Sequence, residues 1–122
     1  MFDYSYYETI TEFDERLRYL KKCIVTADYK KTVSDSLELR YKFIEESVFD
    51  GDSFSALIMF PEYLTLFSAN TTEHSHLSFM TAFKWVLEEM FSYYHVTPEK
   101  TEEYFEKYKE FLSVFGYSMR TY

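Results

Sequence analysis

Apolar residues recur at intervals of three and four along almost the whole chain, and few residues interrupt the pattern. In the first segment, residues 6–27, they fall on one stripe of a helix (Ile10, Phe13, Leu17, Leu20 and Ile24). Glycine occurs only at Gly51 and Gly116, and proline only at Pro61 and Pro98. Because glycine and proline are the residues that most disfavour a helix interior, a chain with so few of them predicts long helices. The fold class is therefore expected to be all-α.

The periodic segments predict five helices followed by a C-terminal stub. The first two helices are expected at residues 6–27 and 29–48. The segment FDGDS then separates the second helix from the third. Gly51 suits the left-handed position that follows a helix, and Asp52 or Ser53 offers a cap for the next one.

The third helix, predicted at residues 53–69, is the most apolar part of the chain and contains Pro61. A helix that began at this proline would be capped by Phe60, which has no side-chain acceptor. We therefore expect Pro61 to lie inside the helix as a kink, with two short helices or a functional hinge as the alternatives. Apolar residues surround most of the helix axis, which predicts a buried, central helix.

The fourth helix is expected to follow a cap at Thr71 or Thr72 and to run to about residue 95. The fifth helix has the clearest start signal in the chain. Thr97 is placed as its cap, and Pro98 takes the first helical position, where its missing N–H is not needed.

The end of the sequence indicates a domain that continues. Gly116 ends the fifth helix, Ser118 could cap a sixth, and the sequence stops at Tyr122. We expect residues 1–122 to be a single helical domain and the N-terminal part of a longer protein. Helix starts near residues 53 and 97 lie 44 residues apart, which is within the spacing of α-solenoid repeats. The predicted architecture is antiparallel helical hairpins stacked as a bundle or a short α-solenoid.

The charge of the chain argues against two kinds of partner. With 21 acidic and 13 basic side chains the net charge is −8, and no run of Lys or Arg exceeds two residues. Nucleic-acid binding needs a basic face and is not expected. A membrane-spanning helix is not expected either, because the uncharged run that begins at Ser53 stops at Glu62. The N-terminus lacks the pattern of a signal peptide, and Cys23 is the only cysteine, so we expect a cytoplasmic protein.

No pattern in the sequence indicates catalysis, a cofactor or a metal. His74 and His76 are two residues apart, and on a helix they would point in different directions, whereas zinc-binding helices use a spacing of four. The acidic pairs Glu45-Glu46 and Glu88-Glu89 are interpreted as solvated helix faces. Two glycines cannot form a glycine-rich phosphate loop. We therefore expect no enzyme activity, no cofactor and no metal site.

Three segments, MFPEYLTLF (59–67), TAFKWVLEE (81–89) and FGYSMRTY (115–122), resemble the N-terminal part of bacterial cytoplasmic helical proteins described as tetratricopeptide-repeat-like. The similarity covers roughly residues 50–122. It departs from the 34-residue repeat signature, because Trp85 is not followed at the required offset by Leu-Gly. The resemblance implies a stack of antiparallel helix pairs, with further helical pairs after the last segment.

The predicted function is that of a protein-interaction module or scaffold, because grooves of stacked helices bind peptides and helices. An acidic surface rich in tyrosine favours a basic or amphipathic protein or peptide as partner. The candidate partner-binding residues are Glu62, Lys84 and Arg120, the charged members of the three segments, with structural ion pairs as their alternative role. Two other functions stay open: a small acidic inhibitor or DNA mimic of phage or mobile-element origin, and an aromatic-lined small-ligand pocket between the third and fourth helices.

Overall fold

The computed structural model describes residues 2–93 and 97–116, and the regular secondary structure in these ranges is helical. A short 3₁₀ turn at Tyr7–Thr9 precedes five α-helices. They are α1 (Phe13–Lys30), α2 (Val33–Phe49), α3 (Ser53–Ala69), α4 (His76–Ser92) and α5 (Pro98–Val114). The described residues contain no strand. The predictions of an all-α fold and of five helices are confirmed.

Each helix packs against the next one in the chain, and α2 also contacts α4. Cross-helix contacts give the direction of packing. Arg16, near the start of α1, pairs with Glu46, near the end of α2. In the same way the rings of Phe83 and Phe91 on α4 meet those of Tyr108 and Phe105 on α5. Because early residues of one helix meet late residues of the next, these neighbours are antiparallel and form stacked hairpins.

The core is a cluster of aromatic rings contributed by α3, α4 and α5. Phe67 of α3 and Phe79 of α4 are stacked with ring centroids 3.9 Å apart. Phe60 reaches Phe83 at 4.8 Å and Tyr104 at 5.5 Å. The four phenylalanine rings are fully buried. Rings of this size bury large apolar areas and add specific edge and stacking contacts. The cluster therefore holds the second half of the chain together.

The predicted first helix is wrong at both ends. Its N-terminal part is the 3₁₀ turn, after which Ile10 has an extended backbone with ψ of 122°, so α1 begins only at Phe13. The turn places the Tyr7 ring in the core, where it is 1% exposed. Tertiary packing of the Tyr7 ring competes with the local helical pattern. Tyr7 is not one of the residues that form this pattern, so the pattern did not predict its burial.

The boundary between the first two helices also differs from the prediction. α1 continues to Lys30, and Lys31 ends it by adopting a left-handed conformation with φ of 57°. The N–H of Thr32 then bonds to the carbonyl of Ala27 at 3.1 Å, which closes the helix end. A lysine in this conformation costs about 1 kcal/mol. No glycine marked the position, so the sequence did not reveal it.

The bounds of α3 are those predicted. Gly51 is left-handed with φ of 82°, and the Asp52 carboxylate caps the helix by accepting from the Ser55 N–H at 3.1 Å. Pro61 lies inside a continuous helix, so two short helices are excluded as its explanation. The expectation of a fully buried helix is wrong, because Phe54 is 75% and Ile58 is 74% exposed.

The start of α4 is later than predicted. Ser75, rather than Thr71 or Thr72, caps the helix by accepting from the Ser78 N–H at 3.2 Å. The intervening residues turn so that the His74 side chain reaches the core. α4 ends at Ser92, earlier than predicted, because Tyr93 takes the C-cap position outside the helix. Residues 94 and 95 of the predicted helix lie outside the described residues, as does the predicted stub after Gly116. α5 begins as predicted, with Thr97 at the cap and Pro98 first.

We expect Phe79→Ala to lower the free energy of unfolding by about 3–5 kcal/mol, because the substitution removes a fully buried ring from the centre of the cluster. Phe54→Ala is the matched control and should change stability by less than about 0.5 kcal/mol, since its ring is three-quarters exposed. Urea unfolding of both variants measures the difference. Equal losses would show that the ring cluster is not the stabilising core.

Candidate functional site

A groove lies between α3 and α5 on the side of the molecule where α3 is exposed. Its first part is a largely apolar pocket of about 330 Å³. The lining residues that the argument uses are Phe54, Leu57, Pro61, Met90, Tyr93 and Tyr104. A second cavity of about 570 Å³ shares Pro61 and Tyr104 with the first and continues along α3 past Thr65 to Ser68 and Ala69. The two cavities form one depression, which we call the α3–α5 groove.

An apolar stripe at helical spacing is exposed on α3; three of its residues line the groove, and Ile58 lies beside them on α3 and is not among the described lining residues. The stripe has residues at intervals of three, one and three, so they share one face of the helix. They are Phe54, Leu57, Ile58 and Pro61. Phe54 and Ile58 are three-quarters exposed, and Leu57 is half-buried. Large apolar side chains exposed together on one face are unusual in a monomer and mark contact surfaces.

The α5 wall of the groove is amphipathic. The ammonium of Lys100 lies 5.2 Å from the centroid of the Tyr104 ring and 3.7 Å from the carboxylate of Glu103. Lys107 lines the same wall two turns beyond Lys100. The groove therefore combines an apolar bottom with a charged rim, which is the arrangement of a surface that receives an amphipathic segment.

Glu62, the first predicted partner-binding residue, belongs to an ion-pair cluster around the buried Arg40. Arg40 of α2, only 7% exposed, donates from both terminal nitrogens to the Asp28 carboxylate at 2.9 and 2.7 Å. Its Nε donates to Glu62 at 3.0 Å. The Arg40 guanidinium holds the pKa of Asp28 below its usual range. The cluster ties α1, α2 and α3 together, and the exposed half of Glu62 lines a separate groove between α2 and α3.

The other two predicted residues lie elsewhere. Lys84 is half-buried on α4, and Arg120 lies outside the described residues. Neither Glu62 nor Lys84 is among the described residues that line the α3–α5 groove. The structure therefore does not bring the predicted residues into one described site, and their role in partner binding stays a prediction.

His74 and Tyr63 form a buried hydrogen bond between the α3–α4 turn and α3. Tyr63 Oη and His74 Nε2 are 2.6 Å apart, and the Tyr63 side chain is fully buried. His74 Nδ1 faces the Glu38 carboxylate at 3.8 Å. Burial lowers the pKa of His74 to about 4 and raises the pKa of Tyr63 well above its usual value. A neutral imidazole that accepts from the tyrosine hydroxyl fits these partners.

The acidic pair Glu45-Glu46 is not a solvated face, contrary to the prediction. Both residues are half-buried and paired with cations: Glu45 with Lys42 at 2.7 Å and Glu46 with Arg16 at 2.6 Å. Packing of the N-terminal segment over α2 covers these carboxylates, and the local sequence does not show that packing.

The second histidine of the HSH segment is also engaged within the fold. His76 Nε2 lies 2.7 Å from the carbonyl of Thr71, and its ring stacks on Phe115 at 3.9 Å. In residues 2–93 and 97–116, no group of three or more His, Cys, Asp or Glu side chains is placed to hold a metal ion. Across the same ranges, no helix has both the length and the apolar character needed to cross a bilayer.

Comparison of the chain with protein-family models, with curated proteins and with solved structures finds no match in any of the three. The resemblance to tetratricopeptide-repeat-like proteins therefore stays a prediction. What the structure supports is the coarser statement of a bundle of five helices in which neighbours pack together.

Sequence patterns did not find the apolar stripe of the candidate site. Phe54 and Ile58 lie in a helix that is apolar on nearly every side, so periodicity could not say which side is left exposed. The fully buried residues of α3, Phe60, Tyr63 and Phe67, recur at intervals of three and four. That spacing is the signal that assigns the core side, and by elimination the outer side, of the helix.

We expect the stability of the protein to fall between pH 6.5 and 4 because of His74. Its pKa is lower in the folded state than the value of about 6.5 in an unfolded chain, so the unfolded state takes up the proton first. The contribution of neutral His74 to the free energy of unfolding is complete above pH 6.5. It is lost on acidification, and the loss reaches about 3 kcal/mol at pH 4.

Urea unfolding at a series of pH values, for the parent protein and for His74→Gln, isolates this effect. The variant should lose the additional slope between pH 6.5 and 4 and should be less stable at pH 7. Val25→Gln, at an exposed residue of α1, is the control and should keep the slope of the parent. A slope unchanged in His74→Gln would show that His74 does not cause the pH dependence.

Proposed function

We propose that the chain is a protein-interaction module of the helical-repeat type, which binds an amphipathic helical segment of another protein in the α3–α5 groove. The observation that carries the proposal is the exposed stripe of Phe54, Leu57, Ile58 and Pro61 beside an apolar pocket. Helix-in-groove recognition uses apolar anchors at such intervals. The stacked antiparallel hairpins support the repeat-like character of the fold.

The charge of the chain favours a partner with basic residues flanking its apolar face. Residues outside 16–31 include seven Lys and Arg and 20 Asp and Glu, a net charge of −13. A surface of this sign attracts cationic segments from a distance and increases their association rate, whereas Lys100 and Lys107 in the groove wall favour acidic residues on the same segment. A cytoplasmic location is part of the proposal and is supported by the single cysteine, Cys23, which cannot form an internal disulfide.

A small-ligand pocket is the second candidate function, and one observation favours it. The 330 Å³ pocket lies among α3, α4 and α5, and its size and apolar lining are within the range of small-molecule sites. The DNA-mimic alternative has less support, because several carboxylates are paired with cations, including those of Asp28, Glu45, Glu46 and Glu62.

A 16-residue helical peptide of Leu and Lys, with leucines at helical spacing and a fluorescent label, tests the main proposal. Its binding is measured by fluorescence anisotropy. We expect Ile58→Lys to weaken binding about tenfold, because a charge would enter the apolar stripe. Val25→Lys is the matched control. It introduces the same charge at a residue of α1 that is 68% exposed, and it should bind as the parent does.

Equal weakening by both lysine variants would contradict the proposed site, since the peptide would then sense only net charge.

Leu57→Trp separates the two candidate functions. The larger ring of Leu57→Trp should fill the pocket and exclude a small apolar ligand. Ile58→Lys should not affect binding of that ligand, because Ile58 is not among the described lining residues. Glu62→Gln and Lys84→Gln test the predicted partner-binding residues in the same assay.

A further inference from the structure

A second groove runs along α1, on a different part of the molecule from the α3–α5 groove. Its lining on α1 extends from Glu15 to Lys30, a length of about 22 Å at 1.5 Å per residue. The N-terminal segment and α2 complete it, and the cavity has a volume of about 810 Å³. The apolar and aromatic lining residues include Phe2, Tyr6, Ile10, Tyr19, Cys23 and Leu39. We call this depression the α1 groove.

The rim of the α1 groove carries a concentration of positive charge. Residues 16–31 contain six of the 13 Lys and Arg and only one Asp or Glu, Asp28, for a net charge of +5. Arg18, Lys22 and Lys30 line the groove and are exposed. Within residues 2–93 and 97–116, no carboxylate forms an ion pair with any of these three side chains. Glu15 and Asp35 also line the groove, so the charged lining residues keep a net charge of +1, with the three cations on its α1 side.

We infer that the α1 groove binds an acidic amphipathic segment of a partner protein, with carboxylates on Arg18, Lys22 and Lys30 and apolar side chains on the groove floor. Arg18 and Lys22 are one helical turn apart, and Lys30 lies two turns further along the same rim. Carboxylates at intervals of four on an approaching helix match this spacing.

The same groove suits a nucleic acid less well. Its floor is apolar, and it also contains Glu15 and Asp35, which would repel a continuous phosphate backbone. An amphipathic helix can place uncharged or apolar residues near these two carboxylates, whereas a phosphate chain cannot. The inferred surface lies on a different part of the molecule from the α3–α5 groove, and it does not depend on the function proposed for that groove.

A labelled 16-residue helical peptide of Leu and Glu, with leucines at helical spacing, is the probe. Fluorescence anisotropy at two salt concentrations measures its binding to the full chain. We expect Arg18→Glu combined with Lys22→Glu to weaken binding at least about tenfold, because two attractive charges become repulsive. Lys109→Glu combined with Val114→Glu changes the net charge by −3, against −4 in the α1 variant, on exposed residues of α5 that are not among the described lining residues of either groove, and should bind as the parent does.

Cys23 provides a readout confined to the groove, because it is the only cysteine and is half-buried in the groove floor. Bound Leu-Glu peptide should slow alkylation of this thiol by iodoacetamide. A Glu-only peptide of equal charge should protect it less, since it cannot cover the apolar floor. In the Arg18→Glu, Lys22→Glu variant the peptide should give no protection, while circular dichroism verifies that the variant remains helical.

Equal loss of peptide binding in the α1 and α5 double variants, or peptide binding without protection of Cys23, would overturn the inference. A single-stranded oligonucleotide that binds more tightly than the peptide, and is lost in the α1 double variant, would assign the groove to nucleic acid instead. Sedimentation velocity without any peptide gives the last test. Self-association that the α1 double variant abolishes would assign the groove to a second copy of the chain and would also overturn it.

Discussion

The stacked rings of Phe67 and Phe79 hold α3 against α4, and the aromatic cluster around them determines how the rest of α3 is used. Phe60, Tyr63, Leu64 and Phe67 face the cluster at intervals of three, one and three, so a single side of α3 provides the core. The opposite side is left to Phe54, Ile58 and Pro61. The exposed stripe of the α3–α5 groove therefore follows from packing these rings together, since one helix cannot present all of its faces to the same core.

Two polar connections position the helices around this apolar core. Arg40 joins α1 and α3 through Asp28 and Glu62, while His74 joins the α3–α4 turn to Tyr63. Hydrogen bonds of this kind add modest net stability, but breaking one leaves a buried group without its partner. Because such groups can be satisfied in only a few arrangements, they favour one register of the helices over sliding alternatives.

Local patterns predicted the number of helices, the bounds of α3 and the start of α5, because the signals there are strong. Gly51, Asp52, Thr97 and Pro98 mark those boundaries with residues suited to caps and turns. The boundaries that failed depend on tertiary contacts or on a rare conformation. Lys31 takes a conformation usual for glycine, and His74 delays the start of α4 by inserting into the core. Neither event has a local signature.

The candidate surfaces were harder to predict than the helices, for a different reason. An apolar helix such as α3 gives no periodic contrast, so Phe54 and Ile58 could not be separated from Phe60 and Phe67 before their neighbours were known. The cations of α1 are visible in the sequence, but they form a groove rim only once the N-terminal segment and α2 are in place. Charge averaged over the chain concealed them, because an overall net of −8 hides a segment of +5.

The packing of each helix against its sequence neighbours also has a kinetic consequence. Most stabilising contacts join residues that are close along the chain, so little loop entropy is lost before they form, and rapid folding is expected of such a topology. Helices at the ends of the stack have fewer neighbours than those inside it. α1, which packs on α2 and the N-terminal turn, should therefore exchange its backbone amide hydrogens earlier than α3 does in deuterated water.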